Sequence, residues 1–200
     1  MWLEPVALRG RHVRLAPLSA DHHQGLCAAG LHPSLWQWTT TAVRDEDDMR
    51  AYIDAALRAQ REGTALPFTT FDVASGKVIG STRFANADRD NRRVEIGWTW
   101  ITPAFQRTPA NTEAKYLMLR HAFELLGCHR VELKTDALNE RSRRAMLRIG
   151  AREEGTLRRH MVTQGGRLRD TVYYSIILEE WPAVRARLEA WIARPYTRSA

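Results

Sequence analysis

Apolar residues recur along the chain with a period of two in some stretches and of three to four in others, and the changes of period mark the elements. Residues 12–18 alternate, with Val13 and Leu15 to one side, which predicts a first strand. Ser19 then stands where a helix cap belongs, ahead of a helix from Ala20 to about Ala29. Residues 31–43 hold Pro33, Trp36, Trp38 and three consecutive threonines with neither period, so a loop with a helical turn is expected. Over 45–62, Met49, Ile53, Ala56 and Leu57 share one helical face, and four acids at 45–48 gather where the helix dipole favours negative charge. Strands at 66–73 and 78–85 follow, joined by a turn over 74–77 with Gly76 available for a positive φ, and they start an antiparallel meander.

The third strand of that meander opens the most informative stretch, 93–127. Val94, Ile96, Trp98 and Trp100 alternate with Glu95, Gly97 and Thr99, Pro103 ends the strand, and Asn111 or Thr112 can cap a helix with Ala114, Leu117, Met118, Leu125 and Leu126 on its apolar side. Gly127 closes that helix. The loop between, 106–111, feeds a helix start, where free N–H groups and the positive dipole end suit a phosphate, and Arg107 adds a full charge. Beyond it, Val131, Leu133 and Thr135 define a strand parallel to the previous one, since a helix crosses between them. Asn139 caps a helix with Ala145, Met146 and Ile149 inward and Gly150 at its end. Strands at 151–161 and 169–178 flank a turn at 164–166, and Pro182 opens a last helix to about 193. The order β-α-α-β-β-β-α-β-α-β-β-α predicts an α/β domain over 1–200, a mixed sheet with helices on both faces.

Composition adds limits. A 44% hydrophobic content suits one domain with its own core. Cys27 and Cys128 match no metal spacing, so reduced thiols, no metal and a cytoplasmic location are expected. No apolar run approaches the roughly 20 residues that span a bilayer. The net charge of +7 fits an acidic partner such as a polyphosphate, but basic residues are interleaved with acids, which favours a mixed solvated surface over a nucleic-acid face.

Four tracts carry a resemblance. They are EIGW at 95–98, QRTPANTEAK at 106–115, Asn139-x-x-Ser142 followed by Gly150-Ala151 and Glu154-Gly155, and DTVYYSIILEEW at 170–181. In this order the chain, from about 8 to 181, resembles the GNAT superfamily of N-acetyltransferases, and within it the RimJ/RimL-type branch that includes ribosomal-protein N-terminal acetyltransferases. The resemblance implies a mostly antiparallel central sheet with a splayed parallel strand pair. Acetyl-CoA would lie in the splay. Its pyrophosphate would sit on Gln106, Arg107, Thr108, Pro109, Ala110, Asn111 and Thr112, its pantetheine arm along Trp100, Ile101 and Thr102, with Asn139 at the arm's end and Ser142 near the sulfur. The family loop has Gly where this chain has Pro109, which removes one N–H and a contact worth at most ~1.5–3 kcal/mol to a charged partner.

The implied chemistry is direct attack of a primary amine on the thioester, which needs a proton acceptor, oxyanion donors and help for the departing thiolate. Glu95 is the expected base; as scaffold it would instead pair with Arg83 or Arg93. Relatives often place a Tyr acid seven residues after the Asn, where this chain has Met146, so Ser142 takes that role, with helix capping as its other reading. Glu113 reads as first-turn capping. Either Trp36 or Trp38 walls the acceptor pocket while the other covers the core. Trp98 reads as core or slot lining, and of the adjacent Tyr173 and Tyr174 at most one faces the slot. The acceptor is a protein or peptide N-terminus, ribosomal proteins among them, or a small amine, and homodimers are common in such folds. The alternatives are a catalytically weak CoA-binding regulatory module and a basic RNA-associated protein.

Overall fold

The computed structural model describes residues 2–196. One sheet runs β1-β2-β3-β4-β5-β6-β8-β7, with β1 Leu8–Arg9, β2 Val13–Pro17, β3 Ala65–Asp72, β4 Val78–Asp88, β5 Arg93–Ile101, β6 Arg130–Asp136, β7 Arg152–Val162 and β8 Leu168–Ile177. The helices are α1 His23–Gly30, α2 Glu46–Arg61, α3 Pro109–Arg120, α4 Glu140–Ile149 and α5 Trp181–Ile192. The two-residue β1 is too short for any periodicity to announce it. Every described pairing is antiparallel except β5 with β6, which is parallel and holds only from Arg93–Glu95 against Arg130–Glu132. The expected mixed sheet and parallel pair are therefore present.

Two apolar clusters fill the two faces. One gathers Phe68, Phe84, Val94, Ile96, Val131 and Leu133 with α3 and α5; the other gathers Leu26, Trp36, Met49, Ile53 and Trp100 with α1 and α2. Adjacent residues of β4 show that these are opposite faces: Phe84 joins the first cluster while Arg83 lies against Tyr52 of α2.

The alternation expected of β5 holds only to Ile96. Thr82 of β4 faces two residues of β5, a bulge, and Trp98 within it takes φ 48°. The bulge inverts the phase, so Trp98 is 39% exposed instead of core and Trp100 enters the α1–α2 cluster. Hydrophobic spacing cannot show such a slip, because every second residue is still apolar.

Helix α3 also starts earlier than its apolar spacing predicts. Thr108, not Asn111 or Thr112, is the cap, its Oγ1 accepting from Ala110 N at 3.2 Å, and Pro109 occupies the first helical position. There a missing N–H leaves no helical bond unmade. At its far end the helix widens into a π turn at His121–Leu125, which shifts the phase and leaves Leu125 69% exposed instead of inward. Glu113, buried in the first turns, is not a helix cap. Its carboxylate accepts the backbone N–H groups of Arg11, His12 and Val13 at 2.8, 2.6 and 2.7 Å and ties the start of β2 to α3. Gly10 is required by that approach, since a Cβ there would lie 2.3 Å from the Glu113 carboxyl carbon.

Candidate active site

The site begins where β5 and β6 part. Past Glu95 and Glu132 the strands are no longer paired, so the β5 edge from Trp98 to Ile101 that faces away from β4 carries no strand partner. The loop after Thr102 leads directly to the start of α3, whose first N–H groups lie beyond the reach of helical carbonyls. Gln106 braces this loop, its Nε2 donating to Ile101 O at 2.9 Å and its Oε1 accepting from Arg141 Nη1 at 2.6 Å. Arg107 is exposed with φ 61°. From the other side, Asn139 caps α4 through its Oδ1, which accepts from Ser142 N at 3.1 Å, and the Ser142 hydroxyl has no partner among the described residues. Arg148 of α4 donates to Thr112 Oγ1 at 3.3 Å. The predicted phosphate loop and the predicted Asn139–Ser142 turn therefore meet across one gap. Arg141 and Arg148 bridge it, cations that the sequence hides among many exposed arginines.

Glu95 is 2% exposed and its Oε2 pairs with Lys134 Nζ at 2.9 Å while accepting from Asn86 Nδ2 at 2.7 Å. Its partner is thus Lys134 of β6, not Arg83 or Arg93; Arg93 instead pairs with Asp88 and Glu132 at 3.1 and 3.5 Å. Gly97 leaves room for this carboxylate, since an added Cβ would stand 2.7 Å from Glu95 Oε1.

Lys115, which the helical reading of α3 passed over, is 7% exposed, and its Nζ donates to Thr99 Oγ1 at 2.6 Å. Thr99 Oγ1 in turn lies 2.7 Å from Thr82 Oγ1 beside the bulge. Burial is the main cause that lowers the Lys115 pKa to about 7, with Glu95 pulling weakly the other way. Only three lysines occur in the chain, Lys77, Lys115 and Lys134, among 30 basic residues. Two of the three stand at this site, Lys134 on Glu95 and Lys115 on Thr99.

The aromatic candidates separate. Trp36 is core, its Nε1 donating to Gly30 O at 2.9 Å and its ring packed on Tyr52 and Trp100, which leaves Trp38 as the loop tryptophan outside the core. Trp38, in the same loop, has the Arg167 guanidinium 5.8 Å from its ring, and Gln164 Nε2 donates to Trp36 O at 3.0 Å, so the 31–43 loop and the β7–β8 turn join. Tyr173 faces the same side as Glu95, with Lys134 Nζ 5.7 Å from its ring. Tyr174 is fully buried on the other face, where Arg143 Nε donates to its hydroxyl at 3.1 Å. No group of three or more His, Cys, Asp or Glu side chains suited to a metal occurs among the described residues, and no helix among them is long and apolar enough to cross a membrane.

Comparison with known proteins gives a consistent likeness. A family model described as an acetyltransferase (GNAT) domain matches residues 12–152. The chain is 37% identical over 106 residues to "Putative ribosomal N-acetyltransferase YdaF" of Bacillus subtilis, a match spanning 53% of this chain and 57% of that relative's length. A GCN5-related N-acetyltransferase structure from Brucella melitensis superposes with a TM-score of 0.90 at 35% identity, over 96% of this chain and 88% of that one. Mycobacterium smegmatis RimJ, in complex with CoA-disulfide, shares the fold with a TM-score of 0.77 at 24% identity, over 94% of this chain and 95% of that one.

Proposed function

The chain belongs to the GNAT acetyltransferase family, and from that premise we propose that it moves an acetyl group from acetyl-CoA to a primary amine by direct attack, as a single domain over 1–200. The observation that carries this is the parting of β5 from β6 after three paired residues, beside a helix start and a bulge that lays bare the β5 edge. These residues fit a CoA-type ligand. Trp100, Ile101 and Thr102 would receive the pantetheine arm through their backbone, and the 106–112 loop with Arg107 would receive the pyrophosphate, Pro109 giving its ring but no N–H. Bound there, the cofactor supplies an activated acetyl thioester.

Glu95 accepts the amine proton, directly or through water, held in place by Lys134 and Asn86. Ser142, with a free hydroxyl at the start of α4, donates toward the departing sulfur in place of the Tyr that Met146 displaces. The likeness to YdaF and the RimJ/RimL-type motifs favour a protein or peptide α-amino group, ribosomal proteins among the candidates, and a cytoplasmic enzyme. A second reading, a CoA-binding module of low activity, is favoured by Met146 and by the ion pair that engages Glu95.

Calorimetric titration with acetyl-CoA, followed by thiol release with a panel of amines and N-terminal peptides, tests both. Micromolar binding with amine-dependent thiol release is expected. Binding without release supports the second reading, and no binding at millimolar acetyl-CoA overturns both.

A further inference from the structure

Arg83 stands on β4 opposite Gly97, two residues along β5 from Glu95 and therefore about 7 Å from it in strand rise. It is 7% exposed, yet no carboxylate lies within ion-pair distance of its side chain and no side-chain hydrogen bond is made among the described residues; its Nε is a buried donor without an acceptor. Its guanidinium is held between two rings, 5.1 Å from the centroid of Tyr52 and 5.0 Å from that of Trp98. Such stacking fixes the plane of the guanidinium but does not satisfy its donors, which prefer a planar anion in their own plane. Its cationic neighbours have partners for their donors: Lys134 holds Glu95, Arg167 holds Asp136, and the buried Lys115 and Arg169 donate to the hydroxyls of Thr99 and Thr171. An arginine stays charged at any ordinary pH, so Arg83 is a buried positive charge without a counterion in the protein.

The surroundings place this charge where an acceptor arrives. Trp98, the ring stacked on Arg83, is thrown outward by the bulge, and its other neighbour is Lys134 Nζ at 5.8 Å, the partner of Glu95. Arg169, also buried, is close enough to Glu95 to interact with it electrostatically and donates to Thr171 Oγ1 at 3.1 Å. Toward Trp98 the positive groups Arg83, Lys134, Arg167 and Arg169 meet only the carboxylates Glu95 and Asp136, while Asp88 and Glu132, which line the cleft on the other side of Glu95, are both paired with Arg93 and Asp90 there is exposed.

We propose that Arg83 binds a carboxylate carried by the amine acceptor, so that the substrates of this site are amines with an acidic group a few bonds from the nitrogen. The inference rests on the acetyl-transfer reading of the same site. An α-amino acid and a peptide whose first residues include Asp or Glu both offer that chemistry. The rings of Tyr52 and Trp98 hold the planar guanidinium in place for a two-point contact, and the anion replaces the counterion that the fold omits.

Matched acceptors decide it. Thiol release from acetyl-CoA is measured with phenylalanine against phenethylamine, and with peptides beginning Ser-Glu against Ser-Gln. The pairs separate a free amino acid from an acidic peptide. The carboxylate-bearing member of at least one pair is expected to have the higher kcat/KM by roughly 10- to 100-fold, the worth of a charge-assisted contact. In Arg83→Gln that ratio falls toward one, and in Arg83→Lys, which keeps charge without the planar fork, it is intermediate. Titration of benzoate, a carboxylate with no amine, reads the same site without turnover: binding by the wild type that Arg83→Gln loses supports the proposal even if no amine is acetylated. Thermal melts confirm that the variants fold. Equal rates within both pairs, or a preference that survives in Arg83→Gln, overturns the proposal while leaving acetyl transfer standing; absence of acetyl-CoA binding would instead remove the acetyl-transfer reading.

Discussion

At the scale of single residues, two charges buried on α3 follow opposite logic. Glu113 is satisfied, since three backbone N–H groups point into its carboxylate, and it works as a clamp between α3 and β2. Lys115, two residues on, has one hydroxyl partner, and burial lowers its pKa to about 7. Because that value lies below the 10.5 of an exposed lysine, the unfolded chain holds more protons between about pH 7 and 10.5, and stability rises with pH across that window. The full cost is present below about pH 7. Lys115→Met is therefore expected to raise the unfolding free energy at pH 6, by up to about 4 kcal/mol, and to raise it much less at pH 10. Urea melts of both proteins at the two pH values check this; a gain independent of pH would mean the amine keeps its proton in the fold. The sequence carried a partial signal for this site, a rare lysine inside the run AKYLMLRHAF, but helical periodicity reads such a position as surface. Glu95 was legible by its motif, whereas Lys134 as its partner was not, because a pair formed across parallel strands depends on where those strands stop being parallel.

At the scale of elements, strand and helix identities were legible apart from the two-residue β1, and what spacing could not give were the slips of phase. The bulge at Trp98 and the π turn at His121–Leu125 each shift the register by a residue without changing which residue types are apolar, so the core reading of Trp98 and the inward placing of Leu125 both fail. The start of α3 was misplaced for a different reason. Asn111 and Thr112 are good caps by type, but Thr108 followed by Pro109 is a stronger start signal, and a proline in the first turn is pre-set for the helix. That placement alters the expected effect of Pro109→Gly. Loosening the helix start is expected to cost the free protein about 1 kcal/mol. The restored N–H adds a donor toward the pyrophosphate, so acetyl-CoA is expected to bind roughly 3- to 10-fold more tightly even as the melting temperature falls. Calorimetry and thermal melts on the variant measure the two effects separately. Lower stability with unchanged affinity would show that this position never meets the cofactor.

At the scale of the molecule, the sheet consists of two parts with a narrow seam. Strands β1 to β5 form one part and β6 to β8 the other, joined within the sheet by the three-residue pairing of β5 with β6. Outside the sheet the seam is crossed by α3 against α5, by Arg141 on Gln106 and by Gln164 on Trp36. The alternation of strands and helices in the sequence foretold the meander and the parallel pair, but not the place of β8 between β6 and β7, nor the early end of the parallel pairing, which only the family likeness implied. A ligand lying in the splay touches both parts and so stiffens the seam as well as filling a slot. With acetyl-CoA at about 100 times its Kd the native state gains about 2.7 kcal/mol, which for a chain of this size raises the melting temperature by roughly 5 to 10 °C. The distribution of the effect discriminates further than its size. Hydrogen exchange should slow on both sides of the seam, at 98–101 of β5 and the first turn of α3 and also at the start of α4. Protection confined to the 106–112 loop would mean that the cofactor holds only by its phosphates and that the open β5 edge has another use.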